Sequence, residues 1–177
     1  ALLSLQSNQS ESDELKSIMI EGQNRVNSMA LIHQMLYQNE NISNIEFKQY
    51  LTQLINEIGR SYNHKHPNKN ITIDAGNWKF DVDTAVPLGL IINELVSNAY
   101  KYSLKKVDSK LSIHLNKTED NFELIVRDNG PGLPQGIKLS EVKSLGLRLV
   151  SLLCKQMKAN LFHGNDNGAY FIIKFNE

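Results

Sequence analysis

Three polar side chains with a spacing suited to phosphate chemistry occur in the stretch "NELVSNAYKYS", residues 93–103. Glu94, Asn98 and Lys101 stand at i, i+4 and i+7, so on a helix they form one stripe, apart from the apolar side chains. A carboxylate, a carboxamide and an ammonium in line would suit a magnesium-bound phosphate chain. Taken alone, the stripe is more typical of a solvent-exposed helix face, so the phosphate interpretation needs partners elsewhere in the chain.

A second candidate is the stretch "VRDNGPGLP", residues 126–134. A strand is predicted to end at Asp128, and a flexible glycine-rich segment follows at once. An acidic side chain fixed at a strand end can accept a hydrogen bond from an exocyclic amine, and Gly130 and Gly132 let a flat ring approach the backbone. The alternative is an ordinary turn, because Asn-Gly and Pro-Gly both favour turns.

The third candidate, "KSLGLRLV" at residues 143–150, predicts the start of a helix. Small residues at this helix start would leave backbone N–H groups free beside the positive end of the helix dipole, which attracts anions. The alternative is a plain helix start with Ser144 as its cap. The order of the three stretches along the chain favours one shared site over three unrelated coincidences.

The hydrophobic pattern predicts the elements that must position these residues. Apolar residues alternate, as in strands, at "ITIDA", "KLSIHLNK", "NFELIVRD", "ANLFHG" and "AYFIIKF", and a short extended piece is predicted at "WKFDV". Helices are predicted around residues 43–58, from about Asp83 to Ser103, and over "SLGLRLVSLLCKQM". Strands that pair through hairpins and mix with helices indicate an α+β fold, a two-layer α/β sandwich with helices on one face of an antiparallel-rich sheet.

The first forty residues carry a different, heptad-like pattern. Its seam positions are Leu15, Ile18, Gly22, Arg25, Met29, Ile32 and Leu36. The apolar start "ALLSLQ" resembles the end of a preceding helix, which would form a hairpin with this one as part of a dimerisation bundle. Ser43 and Glu46 form a capping box for the next helix, so we place a domain boundary near residue 40, between residues 1–40 and 41–177.

Composition excludes several classes of protein. Nineteen Lys and Arg residues balance nineteen Asp and Glu residues, so no global field favours nucleic acid or anionic lipid. The lone Cys154 excludes a disulfide framework and favours a reducing, cytoplasmic compartment. The longest apolar run, "AVPLGLII", is far shorter than the roughly 20 residues that span a bilayer, so we expect no membrane contact by this chain, whether its parent protein is soluble or membrane-bound.

The three stretches, in this order, resemble the N, G1 and G2 boxes of the Bergerat ATP-binding fold, shared by histidine kinases, gyrase, Hsp90 and MutL. Together, "LGLIINELVSNAYKYS" and "RVNSMALIHQMLYQ" look most like bacterial sensor histidine kinases of the HisKA_2 class. The resemblance covers nearly the whole chain, up to "GAYFIIKF". It implies a catalytic ATP-binding domain at residues 41–177, preceded by a partial dimerisation and phosphoacceptor region at residues 1–40.

The resemblance also implies a role for each candidate residue. Asn98 matches the asparagine that binds Mg²⁺, Lys101 the lysine that contacts phosphate, and Tyr102 the ring near the nucleotide. Glu94 matches a position that holds a general base in gyrase-like ATPases, and is expected to act as a metal-water ligand or base. Asp128 matches the aspartate that specifies adenine, beside Gly130 and Gly132. The G2 box corresponds to Gly146 with Ser144, Leu145 and Leu147, and closes a lid at residues 131–145.

Two departures from the family pattern stand out. The acceptor histidine of this class lies upstream of a segment like "LLSLQS", so it is expected outside this chain. Of the five histidines, only His33 falls on a predicted bundle helix, and it lacks the acceptor context, so we expect it to be structural and partly buried. Ala169 replaces a threonine that often follows the last glycine.

The sequence therefore predicts the catalytic region of a sensor histidine kinase in a two-component system. It would bind Mg-ATP and transfer the γ-phosphoryl group to a histidine, with relay to a response-regulator aspartate. A homodimer through the N-terminal helices is expected. Two alternatives remain open, a Bergerat-fold ATP hydrolase with Glu94 as base and a non-catalytic nucleotide-binding scaffold, whereas phosphotransfer through His33 is the least favoured hypothesis.

Overall fold

The computed structural model describes residues 13–38, 45–62, 70–106, 108–119, 121–137 and 144–176. Within these ranges the helices are α1 (Asp13–Gln38), α2 (Phe47–Tyr62), α3 (Val82–Asn98) and α4 (Leu145–Gln156), and a π-helical turn at Ala99–Ser103 follows α3. The strands are β1 (Ile45–Glu46), β2 (Asn70–Ala75), β3 (Lys79–Phe80), β4 (Lys110–Lys117), β5 (Phe122–Asp128), β6 (Asn160–Asn165) and β7 (Ala169–Phe175).

Five of the strands form one mixed sheet in the order β2-β4-β5-β7-β6. β2 runs parallel to β4, and the other neighbours are antiparallel. The β4–β5 and β6–β7 hairpins confirm the pairings that the sequence predicts. Alternate residues of β4, β5 and β7 are buried, as expected where helices cover a single face of the sheet. The α+β, two-layer architecture is confirmed.

Helix α3 lies at the centre of the helical layer and is buried over most of its length. Its apolar side chains pack with those of the inner sheet face in one core, which includes Leu88, Ile91, Ile92, Ile113, Leu124 and Ile173. An aromatic cluster forms part of this core. The ring centroid of Phe80 lies 5.0 Å from that of Phe122 and 5.9 Å from that of Phe175. The helix that carries the candidate polar stripe is therefore rigidly held.

Both ends of α3 differ from the sequence prediction. The helix begins at Val82, one residue earlier than expected, because Asp81 caps it by accepting a hydrogen bond from the Thr84 amide at 2.8 Å. It ends at Asn98, and Leu104 N donates to Ala99 O at 2.8 Å across the π-helical turn. A π turn is wider than an α turn, so residues after Asn98 leave the regular i, i+4, i+7 register.

The predicted capping box at Ser43 and Glu46 is wrong for Glu46, because that residue lies in β1 and α2 begins only at Phe47. Ile45 and Glu46 pair with Phe80 and Lys79, and Ile45 is fully buried. Residues 45 and 46 thus form a strand that pairs with β3, although the local sequence pattern predicts the start of a helix there. Ser43 and the predicted domain boundary near residue 40 lie outside the described residues.

Helix α1 has two distinct faces. One face is buried against α2 and α3, and contains Asn24, Ser28, Leu31 and Ile32. The other is apolar but exposed, with Leu15, Ile18, Val26 and Met29 between 44% and 58% accessible. His33, predicted to be partly buried, is exposed, because α1 turns its other side to the domain. The helix predicted at the extreme N-terminus lies outside the described residues.

Cys154 lies on the buried face of α4, and burial raises the pKa of its thiol to about 12. The thiol therefore stays protonated and unreactive at neutral pH. None of the helices in the described ranges is long and apolar enough to cross a membrane.

We expect Asp81→Ala to lower the free energy of unfolding by about 1 kcal/mol, because it removes the N-cap acceptor of α3. Asp81→Asn should cost much less, because a carboxamide oxygen can still accept the Thr84 N–H. Urea denaturation would measure both, with Asp83→Ala as a control that removes a first-turn charge without removing the cap. Equal losses for Asp81→Ala and Asp81→Asn would contradict the capping explanation.

Candidate functional site

A cavity of about 340 Å³ lies between α3, the π-helical turn, the ends of β5 and β7, and the start of α4. This volume suits a small organic ligand. The lining is mostly apolar, with a few convergent polar groups, and includes Leu95, Asn98, Ala99, Tyr102, Ser103, Asp128, Gly132, Leu133, Ile137, Ser144, Leu147, Ala169 and Phe171. Six residues that the sequence predicts as site residues meet here: Asn98, Tyr102, Asp128, Gly132, Ser144 and Leu147.

Asp128 is the last residue of β5 and lines the cavity. Its Oδ1 accepts hydrogen bonds from Gly130 N at 2.7 Å and Ala169 N at 3.4 Å, which fix the orientation of the side chain. Within the described part of the chain, Oδ2 has no hydrogen bond to a protein group. One oxygen thus holds the carboxylate in place, and the other can accept a hydrogen bond from an N–H or O–H group of a ligand.

The two glycines after Asp128 have different local roles. Gly132 lines the cavity and has a φ of +81°, which favours glycine. Gly130 does not line this cavity. A Cβ at Gly130 would collide with Ser103, so glycine lets the end of β5 approach the π-helical turn. A Cβ at Gly132 would collide with the Asn165 side chain, so glycine is required there for local packing as well as for its positive φ. The approach of a flat ring to these glycines stays a prediction.

Asn165, which the sequence analysis did not identify, holds the segment that follows Gly132. Its Oδ1 accepts from Leu133 N at 2.7 Å, and its Nδ2 donates to Leu133 O at 2.8 Å. This two-point contact ties the first part of the predicted lid to β6. Residues 138–143, the middle of that predicted lid, lie outside the described residues. No local pattern could have revealed this contact, because the two residues are 32 positions apart.

Asn98 and Tyr102 form the α3 wall of the cavity, at the last residue of the helix and in the π turn. Tyr102 is 61% exposed, so its ring stands at the entrance. Asn98 is partly buried. No group of three or more His, Cys, Asp or Glu side chains that could hold a metal exists among the described residues. A metal here would fit the carboxamide of Asn98 together with ligand phosphates and water, which suits Mg²⁺.

Glu94 is not on a solvent-exposed face, contrary to the simplest interpretation of its stripe. It is 2% exposed, because α1 covers it. Arg25 of α1 donates from Nε to Oε1 at 2.6 Å and from Nη2 to Oε2 at 2.8 Å, and Asn93 Nδ2 donates to Oε1 at 3.2 Å. This bidentate contact raises the pKa of Arg25. Both carboxylate oxygens of the predicted base are therefore engaged.

Lys101 is also covered by α1. Its Nζ donates to the Glu21 carboxylate, and both side chains are about one-fifth exposed. Burial lowers the pKa of Lys101. Glu21 in turn lies 3.5 Å from Arg25, so the four side chains form a row of alternating charge, Lys101–Glu21–Arg25–Glu94. The sequence offered one signal for this row, a guanidinium at the Arg25 seam position where an apolar residue is usual.

Helix α4 begins at the cavity with Ser144 as its N-cap residue, although the Ser144 side chain makes no capping hydrogen bond. A Cβ at Gly146 would collide with Glu94 Oε2, so glycine allows α4 to approach α3 here. Leu147 is buried and Leu145 is 64% exposed. The first amide groups of α4 have no intrahelical acceptor, so this helix start offers N–H donors and a positive dipole end beside the cavity.

Two family profiles match the chain. The histidine kinase family HisKA_2 matches residues 1–62. The family described as histidine kinase-, DNA gyrase B- and HSP90-like ATPase matches residues 83–177. The second match includes α3, β4 to β7 and α4, and so the whole lining of the cavity.

Among curated proteins, the sensor histidine kinase PdtaS of Mycobacterium tuberculosis is 30% identical over 157 residues, which is 86% of this chain and 30% of that protein. PdtaS of Mycolicibacterium smegmatis is 28% identical over 158 residues, 86% of this chain and 31% of the relative. The chain thus spans less than one-third of the length of these relatives.

Solved structures share the fold. The histidine kinase domain of the blue-light activated histidine kinase EL346 from Erythrobacter litoralis superposes with a TM-score of 0.76 at 20% identity, covering 98% of this chain and 82% of that one. The Acinetobacter baumannii histidine kinase AdeS gives a TM-score of 0.63 at 18% identity over 94% and 86% of the two chains. With a HisKA_2 segment followed by an ATPase domain that forms the cavity, the chain belongs to the sensor histidine kinase family and contains its catalytic, ATP-binding region.

Proposed function

We propose that this region binds Mg-ATP in the cavity at the end of β5 and transfers the γ-phosphoryl group to a histidine of the parent protein. The observation that carries this proposal is the Asp128 carboxylate, held by Gly130 N and Ala169 N on the wall of an apolar cavity. An apolar cleft with one oriented acceptor suits a purine ring that carries an exocyclic amine. The ATPase family match over the same residues supports ATP as the ligand.

The residues around the cavity have distinct roles in this proposal. Asp128 selects adenine, Gly132 admits the ring, and Tyr102 flanks the nucleotide at the entrance. Asn98 contributes the protein ligand to Mg²⁺, and Lys101 contacts phosphate. The start of α4, from Ser144 to Leu147, offers amide N–H groups to the phosphate chain. Leu145 and Gly146 belong to this first turn of α4, and Gly130 lets the segment after β5 approach the π-helical turn.

Catalysis in this proposal depends on positioning and on neutralising charge. ATP supplies the phosphoryl group, and Mg²⁺ supplies positive charge at its phosphates. The chain contributes the ammonium of Lys101 and the dipole end of α4. Glu94 can act as a metal-water ligand or base only after Arg25 leaves it, because both its oxygens are bound in this structure. For the same reason, the arrangement does not favour an ATP hydrolase that uses Glu94 to activate water.

We also propose that the phosphoryl group passes from the histidine to an aspartate of a response regulator. The named relatives, which are sensor histidine kinases, support a two-component role. The acceptor in this proposal is a histidine of the dimerisation and phosphoacceptor region, the type of region that the HisKA_2 match indicates.

A homodimer through α1 is the third part of the proposal. Its support is the exposed apolar stripe of Leu15, Ile18, Val26 and Met29, which faces away from α3. Three of these residues, Leu15, Ile18 and Met29, are predicted seam positions, whereas the seam residues Arg25 and Ile32 face the domain. The HisKA_2 match covers this helix. Bundle formation would bury the stripe against the same helix of a second copy.

Asp128→Asn should weaken ATP binding by roughly 10- to 100-fold, because a charge-assisted hydrogen bond to the ring is lost. Isothermal titration with ATP and Mg²⁺ would measure the change. Asp166→Asn is the matched control, since Asp166 is an exposed carboxylate that pairs with Arg127 at 2.6 Å and lies outside the cavity lining. Unchanged affinity in Asp128→Asn would refute the adenine assignment.

Asn98→Ala should remove most of the gain in ATP affinity that Mg²⁺ provides, because the variant loses the protein ligand to the metal. The measurement is ATP titration with Mg²⁺ and with EDTA, in the variant and in the unmodified chain. ATP affinity in EDTA should change little. Asn77→Ala, at an exposed position away from the cavity, controls for the loss of a carboxamide. If Asn98→Ala retained the full magnesium effect, the metal assignment would fail.

Val26→Glu and Met29→Glu should shift the protein from dimer to monomer in sedimentation equilibrium, because each places a charge in the proposed apolar interface. Asn27→Glu is the control, because Asn27 is exposed on α1 but points away from the stripe. A dimer of equal strength in all three variants would show that α1 does not form the interface.

A further inference from the structure

Helix α1 places two charged side chains on the two charged residues of the candidate N box. Glu21 binds Lys101, and Arg25 binds Glu94 through both carboxylate oxygens. These contacts join residues 80 and 69 positions apart, so they tie the N-terminal helix to the ATP-binding domain and not merely to its own neighbours.

The Glu21 carboxylate interacts with Lys101 in the way that a phosphate group would. Both are anions that accept hydrogen bonds from an ammonium through oxygen. Arg25 meanwhile satisfies Glu94, which in the proposed function is required at the metal. A docked α1 therefore engages both residues by the same type of interaction that a Mg-nucleotide would need.

We propose that α1 is an inhibitory element, in which Glu21 competes with the phosphates of Mg-ATP for Lys101 and Arg25 competes with Mg²⁺ for Glu94. This inference rests on the proposed function. The docked helix and the bound triphosphate are then antagonists. By linkage, each weakens the binding of the other by the same factor.

The interface between α1 and α3 has features that favour dissociation of α1 from the domain. Its buried side chains near the ion pairs are polar, with Asn24 4% and Ser28 1% exposed. Among the described residues, Asn24 Nδ2 and Asn93 Oδ1 are buried without a hydrogen-bond partner. Buried polar atoms that lack partners weaken an interface, because separation restores their hydration.

The apolar contacts of α1 lie further along the helix, where Leu31 and Ile32 are buried. Arg25 and Glu21 precede this anchor by about two and about three helical turns, respectively. The segment that carries the charges can therefore leave the site while the anchored part of α1 remains in contact with the domain.

Equilibrium binding of Mg-ATP and of adenosine to Glu21→Gln tests the proposal. We expect the variant to bind Mg-ATP at least about fivefold more tightly, because the competing carboxylate is neutralised. Adenosine has no phosphate, so its affinity should not change. Glu46→Gln is the matched control, because Glu46 is an exposed carboxylate paired with Lys79 and is remote from the cavity.

Unchanged or weaker Mg-ATP binding by a folded Glu21→Gln would overturn the inference. An equal gain for adenosine would also overturn it, because it would indicate a general change in the pocket. Failure of the proposed function gives a different result, namely no saturable binding of Mg-ATP by the unmodified chain or by either variant.

Hydrogen exchange on the unmodified chain provides a second test that needs no substitution. Mg-ATP should speed amide exchange in the first half of α1, and adenosine should leave it unchanged, because only a phosphate chain displaces Glu21. Slower or unaltered exchange of α1 with saturating Mg-ATP would contradict the proposal.

Discussion

The buried carboxylate of Glu94 is the constraint on which the other parts of this structure depend. A carboxylate that is 2% exposed must be paired, because an isolated buried charge is strongly destabilising. Arg25 provides the partner from α1, which fixes the N-terminal helix on the domain. Gly146 accommodates the same carboxylate from the other side, because any larger residue would collide with it. One side chain thus sets the distances between α1, α3 and α4.

The cavity forms where regular elements end. Asp128 is the last residue of β5, Asn98 the last of α3, and Ser144 the residue before α4. Such ends leave backbone groups without ladder or helix partners, and the structure uses them to orient side chains, as Gly130 N does for Asp128. The elements themselves are packed into a single core, so the irregular segments that line the cavity are held by rigid neighbours.

The sequence predicts the regular parts of this fold well, because burial on one face imposes a period of two on strands and about 3.6 on helices. It therefore indicates the two hairpins, whereas six residues of the cavity wall are indicated by the three motifs and their family resemblance. It does not predict β1, because pairing with β3 overrides a local capping pattern. Nor does it predict the π-helical turn, where Tyr100 stacks on Tyr62 of α2 at 5.4 Å. The contacts of Glu21, Arg25 and Asn165 join distant segments, and local spacing contains no information about them.

The charge row also explains how a site for a polyanion can be stable without one. Lys101 in this partly buried position needs an anion, and Glu94 needs a cation. Glu21 and Arg25 meet both needs, so the four side chains have no net charge. In the proposed function, a triphosphate that enters replaces the Glu21 contact, so its affinity is the difference between two favourable interactions. That proposal makes the N-terminal helix and the nucleotide site energetically coupled, although the lining of the cavity comes wholly from residues that match the ATPase family.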